Sequence, residues 1–158
     1  MAVKGLELTV PPLLVTALLA AAMAAVANFA PWVRFSLPGH HVLGIFLGAS
    51  GAGIALLGVG EFRRAGASVN PIRPDAVHRV VTGGIYRFSR NPMYLGFAVA
   101  LTGWALWLSN ALAFVAIPAL VAYLNRFQIG PEERLLLEQF GSEYGAYMEK
   151  VRRWVGRH

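Results

Sequence analysis

The chain has 158 residues, 56% of them apolar and only 14% charged, where soluble domains carry about 25% charged residues; mean hydropathy is +0.53. A length of this order is one domain. The net charge of +6 sits on residues that flank apolar segments rather than line a polar face, which argues against nucleic-acid binding, and the lack of cysteine excludes disulfides and thiolate metal sites.

Residues Leu8 to Val33 carry no formal charge. That run exceeds the about 20 residues a spanning helix needs, and it is too long for a signal-peptide core. Pro11 and Pro12 suit a first helical turn, where the missing N–H costs nothing. A first span is expected over Pro12–Phe29, followed by a loop at Pro31 and Pro38-Gly39. Residues Phe35 to Gly60 are again uncharged and predict a second span over His41–Gly60. Gly44 and Gly48, with Gly51, Ala52 and Ala55, read as a surface for close helix packing.

Glu61 to Arg90 is a polar connection with a turn at Arg73-Pro74-Asp75 and a short extended piece at Val80–Gly84. The uncharged run from Asn91 to Asn125 would be about 52 Å long as one helix, while the hydrocarbon core is about 30 Å thick. It is therefore expected to fold back at Ser109-Asn110, giving spans over Tyr94–Leu108 and Leu112–Tyr123. Trp104 and Trp107 would form an interfacial belt near that turn, and Pro118 would kink the fourth helix.

A new helix is expected at Pro131-Glu132-Glu133, with proline and two acids in its first turn. Leu136, Phe140, Tyr144, Tyr147, Met148 and Val151 then recur on one face. Gly141-Ser142 would split that segment, with Ser142 as an N-cap. The fold expected is an all-α integral membrane protein, with about four transmembrane helices and C-terminal amphipathic helices on the cytosolic side. The chain forms a single membrane-embedded domain over 1–158, with two N-terminal spans in 1–62 and the ligand-binding core in 63–158.

With four spans, thirteen of the fourteen Lys and Arg residues fall on one side and Arg34 alone on the other. The positive-inside rule puts the thirteen, and both termini, in the cytoplasm. In a prokaryote the membrane would be the inner one. On that face lie Arg90, Arg126, Glu132, Glu133, Tyr86 and Tyr94. These donors, acceptors and aromatic surfaces suit a zwitterionic ligand with a flat base, such as S-adenosylmethionine. A carboxylate such as Glu132 can take its amine or a ribose hydroxyl, and an arginine its carboxylate. Composition and spacing alone reach no further than a polar ligand at a membrane surface. Arg87 and Arg90 also fit snorkelling toward lipid phosphates.

Val80-Val81-Thr82-Gly83-Gly84-Ile85-Tyr86-Arg87 is followed by Arg90-Asn91-Pro92-Met93-Tyr94-Leu95-Gly96. Further on come Glu132-Glu133 and then Phe140-Gly141-Ser142-Glu143-Tyr144, with Tyr147 and Arg152. In that order and spacing these blocks resemble the isoprenylcysteine carboxyl methyltransferase family, whose wider group includes phospholipid N-methyltransferases. The resemblance covers roughly Glu61 to Trp154. It implies a membrane methyltransferase whose cofactor, S-adenosylmethionine, enters from the cytosol, and whose lipophilic acceptor, a carboxylate, amine or thiol, comes from the bilayer. It implies cofactor contacts at His78, Arg79, Val80, Val81, Tyr86, Asn91, Pro92, Met93, Tyr94 and Glu132, with Arg90 and Glu133 as catalytic candidates.

Two positions depart from the family pattern. Asn91 stands where a histidine is usual; it keeps a donor and an acceptor but cannot titrate. Gln128 stands near the place of an arginine that holds the substrate carboxylate, so Arg126, at the end of the fourth span, is the candidate for an anionic acceptor head. The four histidines show no metal-ligand spacing, and no metal or obligate protein partner is expected. A reductase of the related sterol-reducing lineage and a non-enzymatic membrane protein of the same fold are the competing readings.

Overall fold

The computed structural model describes residues 7–66 and 79–158. The described residues are helical with isolated bridges and no strand, and the protein is an all-α membrane protein. Helix α1 spans Pro12–Phe29, α2 His40–Arg64 and α3 Pro92–Leu108. After a 3-10 turn at Ala111–Val115 come α4 (Ala116–Leu124), a π turn at Asn125–Ile129, α5 (Gly130–Phe140) and α6 (Ser142–Lys150). The helices α1 and α2 and the continuous stretch Ala111–Phe140 are each long and apolar enough to cross a membrane; α3 is apolar and, at 17 residues, one residue shorter than α1.

α3 is the helix on which both α1 and α2 pack. Its contact with α2 is backbone on backbone. Gly44, Gly51 and Gly58, seven residues apart, are the buried positions of α2. A Cβ at Gly44 would stand 2.8 Å from the Gly103 carbonyl, and one at Gly96 would stand 2.5 Å from the Gly51 carbonyl. No side chain fits in this seam, so the helices approach as small-residue faces allow. The expected close packing is present, with a register of seven residues; the backbone of Gly48 also faces Gly103. On its other side α3 meets α1, where Met23 and Ala27 are buried. Trp104 donates to the Ala20 carbonyl at 3.0 Å. It is therefore an interhelical residue and not part of an aromatic belt. Trp107 is the exposed one.

The far end of the bundle closes as expected at Ser109-Asn110. Ser109 ends α3 in the left-handed region. The Asn110 side chain accepts from the Leu112 N–H and donates to the Ala30 carbonyl, while the Phe35 N–H donates to the Ser109 carbonyl. Arg34 donates to the Ala27 carbonyl near the end of α1, a favourable place for a cation. Pro118 falls in the first turn of α4, and the residues before it relax into the 3-10 turn.

The site end differs more from expectation. α4 and α5 are one unbroken helical path through the π turn. Pro131 has no N–H to offer the carbonyl four residues back, and that carbonyl, on Phe127, accepts from the Leu8 N–H at 3.0 Å. Gln128 donates to the Val10 carbonyl at 2.8 Å. Glu7 to Pro11 is thus a strap laid along the π turn. The path Ala111–Phe140 is about 45 Å long at 1.5 Å per residue. It exceeds the about 30 Å core, so α5 stands beyond the hydrocarbon.

Gly141, at φ +52, breaks α5 from α6 as expected. It occupies the cap position itself, so Ser142 is the first residue of α6 and not its cap. Residues 151–158 turn back on themselves through the Val151 and Arg157 bridge. They form a clasp: Arg152 accepts from the Arg90 N–H, Gly156 donates to the Phe88 carbonyl, and Trp154 donates to Asn125 Oδ1. Val80–Gly83 forms no strand and runs into a 3-10 turn at Gly84–Arg87. The turn expected at Arg73-Pro74-Asp75 lies outside the described residues.

Candidate functional site

At the site end, the strap, the last turns of α2, the start of α3, α5 and α6 enclose a cavity of about 500 Å³. Its size falls in the range of about 300–1,000 Å³ typical of small-molecule sites. Its apolar lining includes Leu8, Pro11, Leu13, Val59, Phe62 and Phe97, and its polar and aromatic lining is Arg79, Tyr86, Arg90, Asn91, Tyr94, Glu132, Glu133, Gln139, Tyr144 and Tyr147.

Placement of the polar wall follows from local structure. Pro92 starts α3, which puts Asn91 and Arg90 immediately outside the helix and Tyr94 in its first turn. Pro131 likewise puts Glu132 and Glu133 in the first turn of α5. The Tyr94 hydroxyl donates to Glu132 Oε1 at 2.6 Å, which joins α3 to α5 across 38 residues. No cation pairs with Glu132 among the described residues. Glu133 is held from two sides: Arg90 Nη1 lies 3.1 Å from Oε1 with both side chains 9% exposed, and Arg153 donates to both carboxylate oxygens. The Arg153 carbonyl also accepts from Asn91 Nδ2 at 3.0 Å.

Arg90 stands at ion-pair distance from Glu133 but off hydrogen-bond alignment. Its Nε and Nη1 have no acceptor, and the buried Tyr86 hydroxyl has none either. Buried polar atoms are paired as a rule, and these two side chains are exceptions that line the cavity. The surrounding phenols are fixed in their neutral form. Burial pushes Tyr144 up to about 12, helped by the charge of Glu133, and it pushes Tyr86 and Tyr147 well above the ordinary tyrosine range. The Tyr147 hydroxyl donates to the Tyr86 carbonyl at 2.7 Å. These phenols are donors at neutral pH and not bases. Hydrogen bonding to Glu133 raises Arg153 further above its usual value, so the guanidinium stays charged.

Arg79, Val80, Val81, Tyr86, Asn91, Met93, Tyr94 and Glu132 all face this cavity, as do Arg90 and Glu133. Pro92 does not. It is fully buried and lies against Gly58 of α2, so its part is to start α3. His78 lies outside the described residues. Arg126 is not in the wall: it is half exposed and pairs with Glu7 at 2.9 Å, and Arg134 pairs with the same carboxylate. Arg153, Tyr144, Tyr147 and the strap residues are the parts that sequence reasoning left out of the site. Tyr144 and Tyr147 carried a signal, on the apolar face of the last helices. Arg153 carried none, being one of several basic residues in a tail.

Residues 40–143 match the family model described as phospholipid methyltransferase. The chain belongs to this family. It is 44% identical over 63 residues to an uncharacterized protein of Haemophilus influenzae, a match covering 40% of this chain and all of that protein. A probable protein-S-isoprenylcysteine O-methyltransferase of Oryza sativa subsp. indica is 32% identical over 109 residues, which is 69% of this chain and 57% of that one. The methanethiol S-methyltransferase 1 of Bradyrhizobium diazoefficiens is 36% identical over 73 residues, 46% of this chain and 25% of the other. The chain thus matches a little over half the length of the rice relative and a quarter of the bacterial one. Within the phospholipid methyltransferase family match lie Tyr86, Arg90, Asn91, Tyr94, Glu132 and Glu133. Arg153 and the strap lie outside it.

Proposed function

We propose that this member of the phospholipid methyltransferase family transfers a methyl group from S-adenosylmethionine to a small lipophilic acceptor. The observation that carries this reading is the cavity lining, where the buried Tyr86 hydroxyl and Arg90 Nε have no hydrogen-bond partner among the described residues, beside a Glu132 carboxylate that no described cation neutralises. A ligand with an amine, a carboxylate and a flat base fits that donor set. Glu132 would take the amine or a ribose hydroxyl. Arg90 and Tyr86 would take acceptor atoms, and Asn91, whose amide N–H₂ donates to Arg153, keeps its oxygen for a donor. The bound sulfonium supplies an activated methyl group and its own leaving group.

The residues of the chain contribute positioning and exclusion of water. Arg153 and Arg90 hold Glu133, Tyr94 holds Glu132, and the phenols remain neutral donors. The apolar wall offers the acceptor a path. α1 and α2 both pack on α3, and Leu13, Val59, Phe62 and Phe97 line the cavity from these three helices. An acceptor dissolved in the bilayer would enter between α1 and α2, rather than past Arg126. The strap, the Gly84–Arg87 turn and the clasp gather at one end, which agrees with the sequence expectation that thirteen of the fourteen cations share one side. We assign that end, and both termini, to the cytoplasm. A reporter fused after His158 that reads out on the opposite side would overturn this orientation.

Binding of S-adenosylmethionine and of NADPH to the detergent-solubilised protein tests the activity. Binding and thermal stabilisation by S-adenosylmethionine alone is the expected result. Binding of NADPH alone would point to the reductase lineage, and binding of neither to a non-enzymatic protein.

A further inference from the structure

The outer face of the clasp carries a feature that the cavity does not use. Phe88 is 63% exposed and Val155 60% exposed. The hydrogen bond from Gly156 to the Phe88 carbonyl sets them side by side. Around them stand Arg87, Arg152 and Arg157, all exposed. None of the three has a carboxylate partner among the described residues, whereas Arg64, Arg90, Arg126, Arg134 and Arg153 each have one. The patch is therefore an apolar tip inside a ring of unpaired cations.

Its depth follows from α3. Seventeen residues, Pro92–Leu108, give about 26 Å at 1.5 Å per residue, against a hydrocarbon core of about 30 Å. With Leu108 at the far boundary, Pro92 comes within about 4 Å of the near one, and Phe88, four residues before it in the chain, stands at the headgroup boundary. Apolar side chains seated at that depth, with arginines reaching phosphates, are the chemistry of interfacial binding to anionic lipid.

We propose that this face of the clasp docks anionic phospholipids of the surrounding leaflet, with Phe88 and Val155 entering the acyl boundary and Arg87, Arg152 and Arg157 taking the headgroup charge. The inference rests on the membrane placement of α3 and not on methyl transfer. The test uses the full chain, solubilised with mixed phosphatidylglycerol and phosphatidylcholine, with retained lipids counted by native mass spectrometry. The wild-type protein should retain phosphatidylglycerol preferentially. The triple variant Arg87→Gln, Arg152→Gln, Arg157→Gln should lose that preference by more than tenfold, since each surface cation is worth about fivefold, and should melt in phosphatidylcholine as the wild type does. Phe88→Ser, with all charges kept, should weaken retention severalfold. Equal retention of both lipids by the wild type would overturn the proposal. So would an equal loss in Arg63→Gln, Arg64→Gln, which lowers charge at the same end away from the clasp. Competition by soluble glycerol phosphate would show a free phosphate site and also overturn it.

Discussion

The two ends of the helix bundle are built on opposite principles. At the far end every polar side chain that enters the interior finds partners. Asn110 is fully buried and joins the end of α1 to the turn after α3 through two hydrogen bonds, and Arg34 takes a carbonyl of α1. At the site end the Tyr86 hydroxyl and Arg90 Nε are buried without a hydrogen-bond partner, as are the Tyr123 hydroxyl and Gln128 Oε1 along α4 and the π turn, and Arg90 Nη1 meets Glu133 as an ion pair only. Satisfied buried groups stabilise a unique structure, and orphaned ones cost free energy in the empty protein. The difference separates a region whose buried polar groups are satisfied from one where several are not.

Substitutions at each end should therefore act on different observables. The largest effect is expected for Asn110→Ala. It removes the acceptor of the Leu112 N–H and leaves the Ala30 carbonyl with only the 3.4 Å bond from the Val33 N–H, at about 1–3 kcal/mol for a buried group that loses its partner. Thermal unfolding in detergent should show a marked loss of stability. The contrast between the ends fails if the variant melts like the wild type but no longer binds ligand. Glu132→Gln should do the reverse. Removing a charged partner of the ligand costs about 1.5–3 kcal/mol, or roughly tenfold or more in the dissociation constant for S-adenosylmethionine, with the melting temperature nearly unchanged. An unchanged dissociation constant by calorimetry would reduce Glu132 to a structural acid at the start of α5.

Tyr86→Phe sharpens the comparison, because it deletes one of the orphaned groups. Stability should hold or rise by up to about 1 kcal/mol while ligand affinity falls a few-fold. A clear drop in stability would mean that the hydroxyl is paired in the empty protein. The smallest effect is that of pH. Tyr144 is raised in the folded state to about 12 from an ordinary 10.0. Its contribution to stability is complete below pH 10 and declines as pH rises through 12, because the unfolded chain loses the proton first. Melting temperatures followed from pH 9 to 12 should decline less steeply in Tyr144→Phe than in the wild type. Identical slopes would show that the phenol is not desolvated.

Much of the far end was legible in the sequence because it depends on local signals. The double proline and the uncharged run place α1 at Pro12–Phe29, which the structure matches residue for residue. The Ser109-Asn110 pair, with no charge on either side, could only be a turn. The site end was legible where proline-started helices carry the cavity residues, as with Asn91, Tyr94, Glu132 and Glu133. It was not legible where function depends on pairing at long range. Arg126 looked free because its partner, Glu7, lies 119 residues away. Arg153 reaches Glu133 and Asn91 only through the fold of the clasp. Pro131 looked like the start of a separate helix, since nothing local shows that a strap at the other end of the chain takes the carbonyl that the proline releases.

That π turn has a consequence for how the chain tolerates insertions and deletions. One residue in a helix corresponds to about 100° of rotation. Shortening the Asn125–Ile129 turn by a single residue would leave α4 in the bilayer and swing the first turn of α5 away from the cavity. Glu132 would lose Tyr94, and Glu133 would lose Arg90. Such a deletion variant should still insert and migrate as a membrane protein, yet bind no ligand. The spacing between the fourth span and the acidic pair is thus as much a determinant of the site as the two acids are.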